Sequence, residues 1–264
     1  MSALRPIFFI ALLAIAATSE ARRLPTLARA SATPLAPSAP APGTPENLFQ
    51  RAGAAYEAGR FAESAGLYAR SMESSGISAP GAYNLGNAYF RMGRVGMAVI
   101  WYERSRRLDP RDGDTRYNLE VIRAGGRDAE AGFGETLDRL VTPAELPWIF
   151  TVLCWILLVV AGLALWRGLP WRRVRATVVI SALLLTVVAA WWIYRARDLG
   201  APRAVVVAPQ AEVRSGPGDQ FTVGYTIPEG RRALVLNNRP GWTEIAVPGE
   251  SLKGWVREDL LGRI

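Results

Sequence analysis

Two stretches dominate the hydrophobic pattern of this chain. Leu146–Trp166 and Ala176–Tyr194 contain no charged residue. About 20 residues of helix cross the ~30 Å hydrocarbon layer of a bilayer. A core helix of that length would keep a polar side, and neither stretch does. The pattern therefore predicts two transmembrane helices, 146–166 and 176–194, forming a hairpin. A shorter apolar run, Pro6–Ala17, follows Arg5 and precedes the small residues Ser19 and Ala21. That arrangement predicts a signal peptide over 1–21. From Arg203 to Ile264 the period changes to short β-rich runs, including Val205–Val207, Glu212–Arg214, Ala233–Leu236 and Thr243–Val247. They are broken by Ser215-Gly216-Pro217-Gly218, Pro228-Glu229-Gly230, Pro240-Gly241 and Pro248-Gly249. Strands this short, at this spacing, predict a small all-β barrel over 203–264.

Between Glu46 and Arg123 the pattern repeats. Gly59-Arg60-Phe61 returns as Gly93-Arg94-Val95, Tyr68-Ala69-Arg70-Ser71 as Tyr102-Glu103-Arg104-Ser105, and Tyr83-Asn84-Leu85 as Tyr117-Asn118-Leu119. Each pair is offset by 34 positions, the period of a tetratricopeptide repeat. Gly59 and Gly93 suit the tight turn inside a helical hairpin, and Pro110 stops a helix. Leu85, Gly86, Tyr89, Gly93, Ala98, Tyr102 and Pro110 stand at the spacing of that family. The first unit is more degenerate, with Ala52 where glycine is usual. The domain is read as 46–123: repeats 45–78 and 79–112, then a capping helix 113–123.

Repeat stacks of this kind bind partners along a concave face made by the first helix of each unit. The candidate contact residues are Tyr56, Tyr83, Asn87, Phe90, Arg91, Tyr117 and Asn118. Aromatic, amide and guanidinium groups together suit an extended peptide or a protein terminus. Packing between units remains the alternative role for each of them.

Linkers and charge complete the organisation. Residues 22–45 are interleaved proline, alanine and serine, a solvated spacer. The glycine-containing stretch 124–145 leads to the first apolar span. Net charge is +8 over 264 residues, but both flanking domains are nearly balanced. The excess concentrates at the N-terminus and beside the apolar spans, so no nucleic-acid partner is implied. The connection 167–175 carries Arg167, Arg172, Arg173 and Arg175 and no acid. By the positive-inside rule it is cytoplasmic, and both domains are exported.

The chemistry for catalysis is missing. The chain has no histidine, which removes histidine general bases, Ser-His and Cys-His pairs and His-based zinc sites. Its one cysteine, Cys154, lies in an apolar span, and its one lysine, Lys253, in a turn of the barrel. No phosphate-binding loop occurs. No catalytic, cofactor-binding or metal-binding residue is expected, and the chain is not read as an enzyme.

The C-terminal segment resembles a bacterial SH3-like domain. Val213-Arg214-Ser215-Gly216-Pro217 matches its opening motif, Gly241-Trp242 its central hairpin, and Gly254-Trp255-Val256 the strand before a closing turn at Asp259-Leu260-Leu261. Trp242 and Trp255 are its candidate ligand face, for stacking on a peptide or glycan, with rim or core packing as the alternative. The order of parts, with Tyr83-Asn84-Leu85-Gly86-Asn87-Ala88-Tyr89 running on to Leu108-Asp109-Pro110, resembles the BatE family of the bacterial aerotolerance operon. The resemblance implies a non-enzymatic envelope component, working beside membrane proteins with von Willebrand A domains and a MoxR-type ATPase. The whole reads as a multidomain membrane protein of the bacterial inner membrane: an all-α tetratricopeptide-repeat domain, a two-helix transmembrane hairpin and a C-terminal all-β SH3-like barrel. Both domains face the periplasm. A peptidoglycan sensor or anchor acting through the SH3-like domain is the alternative function.

Overall fold

The computed structural model describes residues 41, 43–127, 141–142, 144–168 and 170–264. The signal-peptide expectation for 1–21, nearly all of the linker 22–45 and most of 124–145 lie outside the described residues.

The repeat region forms five α-helices: α1 Pro45–Glu57, α2 Phe61–Ser75, α3 Ala79–Arg91, α4 Val95–Leu108 and α5 Gly113–Ile122. A π-helical turn, Arg123–Arg127, follows. The starts are capped as their residues dictate. The Thr44 hydroxyl accepts from the Asn47 N–H, that of Ser78 from Gly81, and the Asp112 carboxylate from Asp114 and Thr115. Pro45 and Pro80 sit in first turns, where no intrahelical donor is lost.

The sequence repeat is also a repeat of bonds. Gly59 and Gly93 adopt φ of 74° and 75°, which favours glycine, and close identical turns. Arg60 donates its backbone N–H to Ala55 at 2.9 Å, and Arg94 donates to Tyr89 at 3.0 Å. The Ser71 hydroxyl ties the end of α2 to the Pro45 carbonyl at 2.7 Å, and Ser105 ties α4 to Ala79 at 2.9 Å. Gly86 lets α3 lie against Tyr102, since a Cβ there would stand 2.7 Å from its ring.

Two helices follow, α6 Leu146–Trp166 and α7 Trp171–Gly200, packed on each other. Each is long and apolar enough to cross a membrane, and almost none of either span is covered by the rest of the chain. Thr151, Thr177 and Thr186 return their hydroxyls to carbonyls of their own helix, so these donors need no water. The arginine connection is shorter than its charge pattern suggests. Arg172, Arg173 and Arg175 lie on the first turns of α7, because helix can begin directly after Pro170. At its other end α7 runs past Tyr194 to Gly200, where Ala201-Pro202 ends it.

The C-terminal residues form seven strands: β1 Arg203–Val206, β2 Gln210–Arg214, β3 Val223–Pro228, β4 Arg232–Arg239, β5 Trp242–Ala246, β6 Lys253–Arg257 and β7 Leu261–Arg263. They make one sheet of order β3-β2-β6-β5-β4-β1-β7, every pair antiparallel. Alternation puts Val206, Ala211, Val213, Ile227, Ala233, Ile245, Val247 and Val256 into its core.

The helical stack and the sheet, read from sequence as separate modules, share a hydrophobic cluster. Val205 of β1 packs among Val95, Ala98, Val99 and Ile100 of α4, with Val207 and Ile264 alongside. Two glycines permit the approach: a Cβ on Gly96 would collide with the Val206 carbonyl oxygen, and one on Gly262 with Ile100. The Glu229 carboxylate accepts the Gly96 N–H at 2.8 Å, at the positive end of α4.

A charged knot lies beside this contact. Glu103 of α4 is 2% exposed. Its Oε2 accepts from Arg106 Nη2 at 2.7 Å and Nε at 3.0 Å, and its Oε1 from Arg232 of β4 at 2.9 Å. Arg123 stands 3.7 Å away. Burial pushes the carboxyl up, but the guanidiniums of Arg106, Arg232 and Arg123 outweigh it and hold its pKa down at about 2.

Candidate functional site

The groove is built on α1 and α3, which present the same helical face in successive repeats. Asn84, Asn87 and Arg91 follow one another at i, i+3 and i+7 along α3. Asn87 is tied down from behind. Its Oδ1 accepts from the Tyr102 hydroxyl at 2.6 Å and from Asn118 Nδ2 of α5 at 3.0 Å. With that oxygen occupied, the amide N–H groups are what Asn87 has to offer. Tyr102 is held as a protonated donor, since burial, then Tyr83 and Tyr56, raise its pKa.

Arg91 is held by its face. Its guanidinium carbon lies 4.4 Å from the Phe61 ring centroid and 5.8 Å from that of Tyr56. Those rings meet edge to face at 5.3 Å. A cation–π contact of this kind uses none of the guanidinium N–H groups, which stay available to an acceptor. Arg91 is exposed, and among the described residues it has no hydrogen-bond or ion-pair partner.

Between these groups is a hollow of about 340 Å³, lined by Gly53, Tyr56, Glu57, Tyr68, Asn84 and Asn87. Tyr68 also stays protonated, its pKa raised by burial and then by Tyr56 and Glu57. The hollow is a rim of donors with one acid, Glu57. Its donors could meet the acceptors of an extended chain, and Arg91 stands beside it, against Tyr56, outside its lining.

The structure thus brings Tyr56, Asn87, Arg91 and Asn118 together. Tyr83 faces elsewhere: its ring lies 6.0 Å from Tyr102, and it lines a second hollow of about 210 Å³ with Ser105, Asp109, Asp112 and Asp114. Phe90 and Tyr117 are exposed and line neither hollow. Asn84, Glu57 and Tyr68 were missed in the sequence. The i, i+3 relation of Asn84 to Asn87 is a signal that could have found the first of them.

On the sheet, Trp242 and Trp255 share the face opposite the core, since their neighbours Thr243 and Val256 are buried. Trp242 pairs with Arg257 and Trp255 with Glu244. Both rings are half-buried. Only Trp242 lines the hollow of about 450 Å³ there, with Glu212, Arg214, Asp219, Arg257 and Asp259. Among the described residues no group of three or more Cys, Asp or Glu side chains stands close enough to hold a metal ion.

Comparison with known proteins adds one likeness. The tetratricopeptide repeat family model matches residues 79–112, the span of α3 and α4 with the loop that follows. No curated protein sequence matches the chain significantly. Tetratricopeptide repeats are typically protein-interaction modules, and the match suggests such a module at 79–112.

Proposed function

We propose that the chain is a membrane-anchored, non-enzymatic adaptor whose repeat groove holds a carboxylate-bearing segment of a partner protein. The observation that carries this reading is Arg91, stacked on Phe61 with its N–H edge uncommitted, one turn beyond an Asn87 whose amide can only donate. In this reading 46–123 is the capture domain, α6 and α7 are the membrane hairpin, and 203–264 is an SH3-like domain. The contact of α4 with β1 supports the hairpin, because it requires both flanking regions to lie on one side. The arginines around Pro170 favour the cytoplasm for the connection, hence the periplasm for both domains. The resemblance to BatE suggests von Willebrand A-domain proteins and a MoxR-type ATPase system as company, and aerotolerance as setting.

The test is co-purification from detergent-solubilised membranes with the full chain as bait. Arg91→Ala should reduce capture of its main partner about tenfold, the loss of one charge-assisted hydrogen bond, with the melting temperature nearly unchanged. Full capture by a folded Arg91→Ala chain removes the groove from the function. The Trp242 hollow favours a second reading, in which the sheet holds peptidoglycan. Retention on purified sacculi, lost in Trp242→Ala, would establish it.

A further inference from the structure

Where the helical stack meets the two apolar helices lies a hollow of about 480 Å³ that the adaptor reading does not use. Its walls are the last turn of α4 with the turn after it, the residues before α6, and Leu199 near the end of α7. Its depth follows from the helices. Glu145 immediately precedes α6, so it marks one edge of the apolar layer. Leu199 lies five residues past Tyr194, roughly 7 Å along the helix. The headgroup layer is roughly 5–8 Å thick on each side of a bilayer. If α6 and α7 span a membrane, as proposed above, the hollow lies at headgroup depth.

The charges there are unequally satisfied. Glu145 accepts two bonds from Arg111, both 2.9 Å, and a third from the Thr142 N–H at 3.0 Å. Asp109 accepts from the backbone N–H of Arg111 at 3.1 Å. Arg106 turns inward to Glu103. Arg107 is exposed and, among the described residues, has no hydrogen-bond or ion-pair partner. Partial burial lowers its pKa; Glu103 opposes this, and Arg203, Arg106 and Arg104 add to it. Arg107 thus feels one opposite charge, Glu103, and three like ones, while the other cations of the hollow, Arg106 and Arg111, are bonded to carboxylates. Beside it are the apolar Leu108, 52% exposed, and Leu199.

We infer that this hollow binds the phosphodiester of an anionic membrane lipid, with Arg107 on the phosphate and Leu108 and Leu199 against the glyceride. The inference rests on the membrane reading. Phosphate chemistry alone would also admit free phosphate, but the apolar wall and the depth favour a lipid.

The full chain, purified in neutral detergent, is titrated separately with phosphatidylglycerol, phosphatidylcholine and sodium phosphate. Melting temperature and retained lipid, by native mass spectrometry, are the readouts. Phosphatidylglycerol should be retained and raise the melting temperature, and the other two should do neither. Arg107→Gln should weaken retention about tenfold, as for one charge-assisted contact, while its lipid-free melting temperature stays at the parent value. Arg70→Gln, exposed on α2, should change nothing. Equal retention of phosphatidylcholine, or undiminished retention by Arg107→Gln, overturns the inference. An equal response to sodium phosphate makes this a site for a soluble anion and overturns the lipid. Failure of the membrane reading shows itself differently, as a chain that stays monodisperse in buffer without detergent.

Discussion

The two helical hairpins share a backbone and differ in what their second helices meet. Four positions carry the difference. Gly96, Ile100, Glu103 and Arg104 of α4 correspond to Ala62, Gly66, Ala69 and Arg70 of α2. On α4, Ile100 and Glu103 are 3% and 2% exposed, and Arg104 donates to the Arg263 carbonyl of β7 at 3.2 Å. On α2, Ala62, Gly66 and Arg70 face solvent. The Gly59 and Gly93 turns and the inter-helix serines match, so they make the repeat. The three unlike residues, Gly96, Ile100 and Glu103, make the interface with the sheet, and Arg104, unchanged from Arg70, joins them there.

The largest effect should come from Glu103. Glu103→Ala leaves Arg106, Arg232 and Arg123 around an empty place and should cost about 3–5 kcal/mol, the range for breaking a buried pair. Ala69→Glu, the matching change on α2, should cost less, about 1 kcal/mol, because Ala69 is only half-buried against the core of its own hairpin. Denaturant unfolding of the solubilised chain measures both, and equal effects would erase the distinction between the hairpins.

Acid should reach the same place. The folded-state pKa of Glu103, about 2, lies below its ordinary 4.5. Its contribution is therefore complete above 4.5 and is lost as pH falls from there toward 2. Hydrogen exchange in α4 and β1 should rise over that window, and Glu103→Gln should remove this dependence. Exchange that is flat with pH in the parent chain would show that the carboxylate does not hold the contact.

Gly96→Leu should force α4 from the sheet at roughly 1–3 kcal/mol or more, since backbone stands in the way. Ala62→Leu should be neutral. Gly86→Leu should cost a similar amount to Gly96→Leu, but by crowding Tyr102 within the hairpin, so exchange should rise in α3 and not in β1. Arg91→Ala should cost less than either glycine change: about 0.5–1 kcal/mol of stability, for an exposed cation over an aromatic ring, read as a small shift of melting temperature.

Local features were legible in the sequence because they depend on local chemistry. The 34-residue offset foretold that Ser71 and Ser105 would occupy equivalent places, and both make the same bond. The apolar runs marked α6 and α7, although not the helical turns that polar residues add at either end of α7. The docking of α4 was not legible. Nothing in the spacing of Val99 and Ile100 distinguishes a face turned to α3 from one turned to β1. The groove was partly legible. Asn87 and Arg91 follow from periodicity, whereas the stacking of Arg91 on Phe61 depends on α2 crossing beneath it.

The contact between Gly96 and Glu229 joins residues 133 positions apart, with both apolar helices between them. On the ribosome, α4 is complete long before β1 exists, and its outward apolar face must wait. A free chain of that length pays an entropic cost to bring its ends together, growing slowly with the number of links. Packing α6 on α7 folds the intervening chain back on itself and shortens the free path on both sides. The helix pair then acts on assembly, and the last strands to be synthesised emerge beside the surface that has been waiting for them.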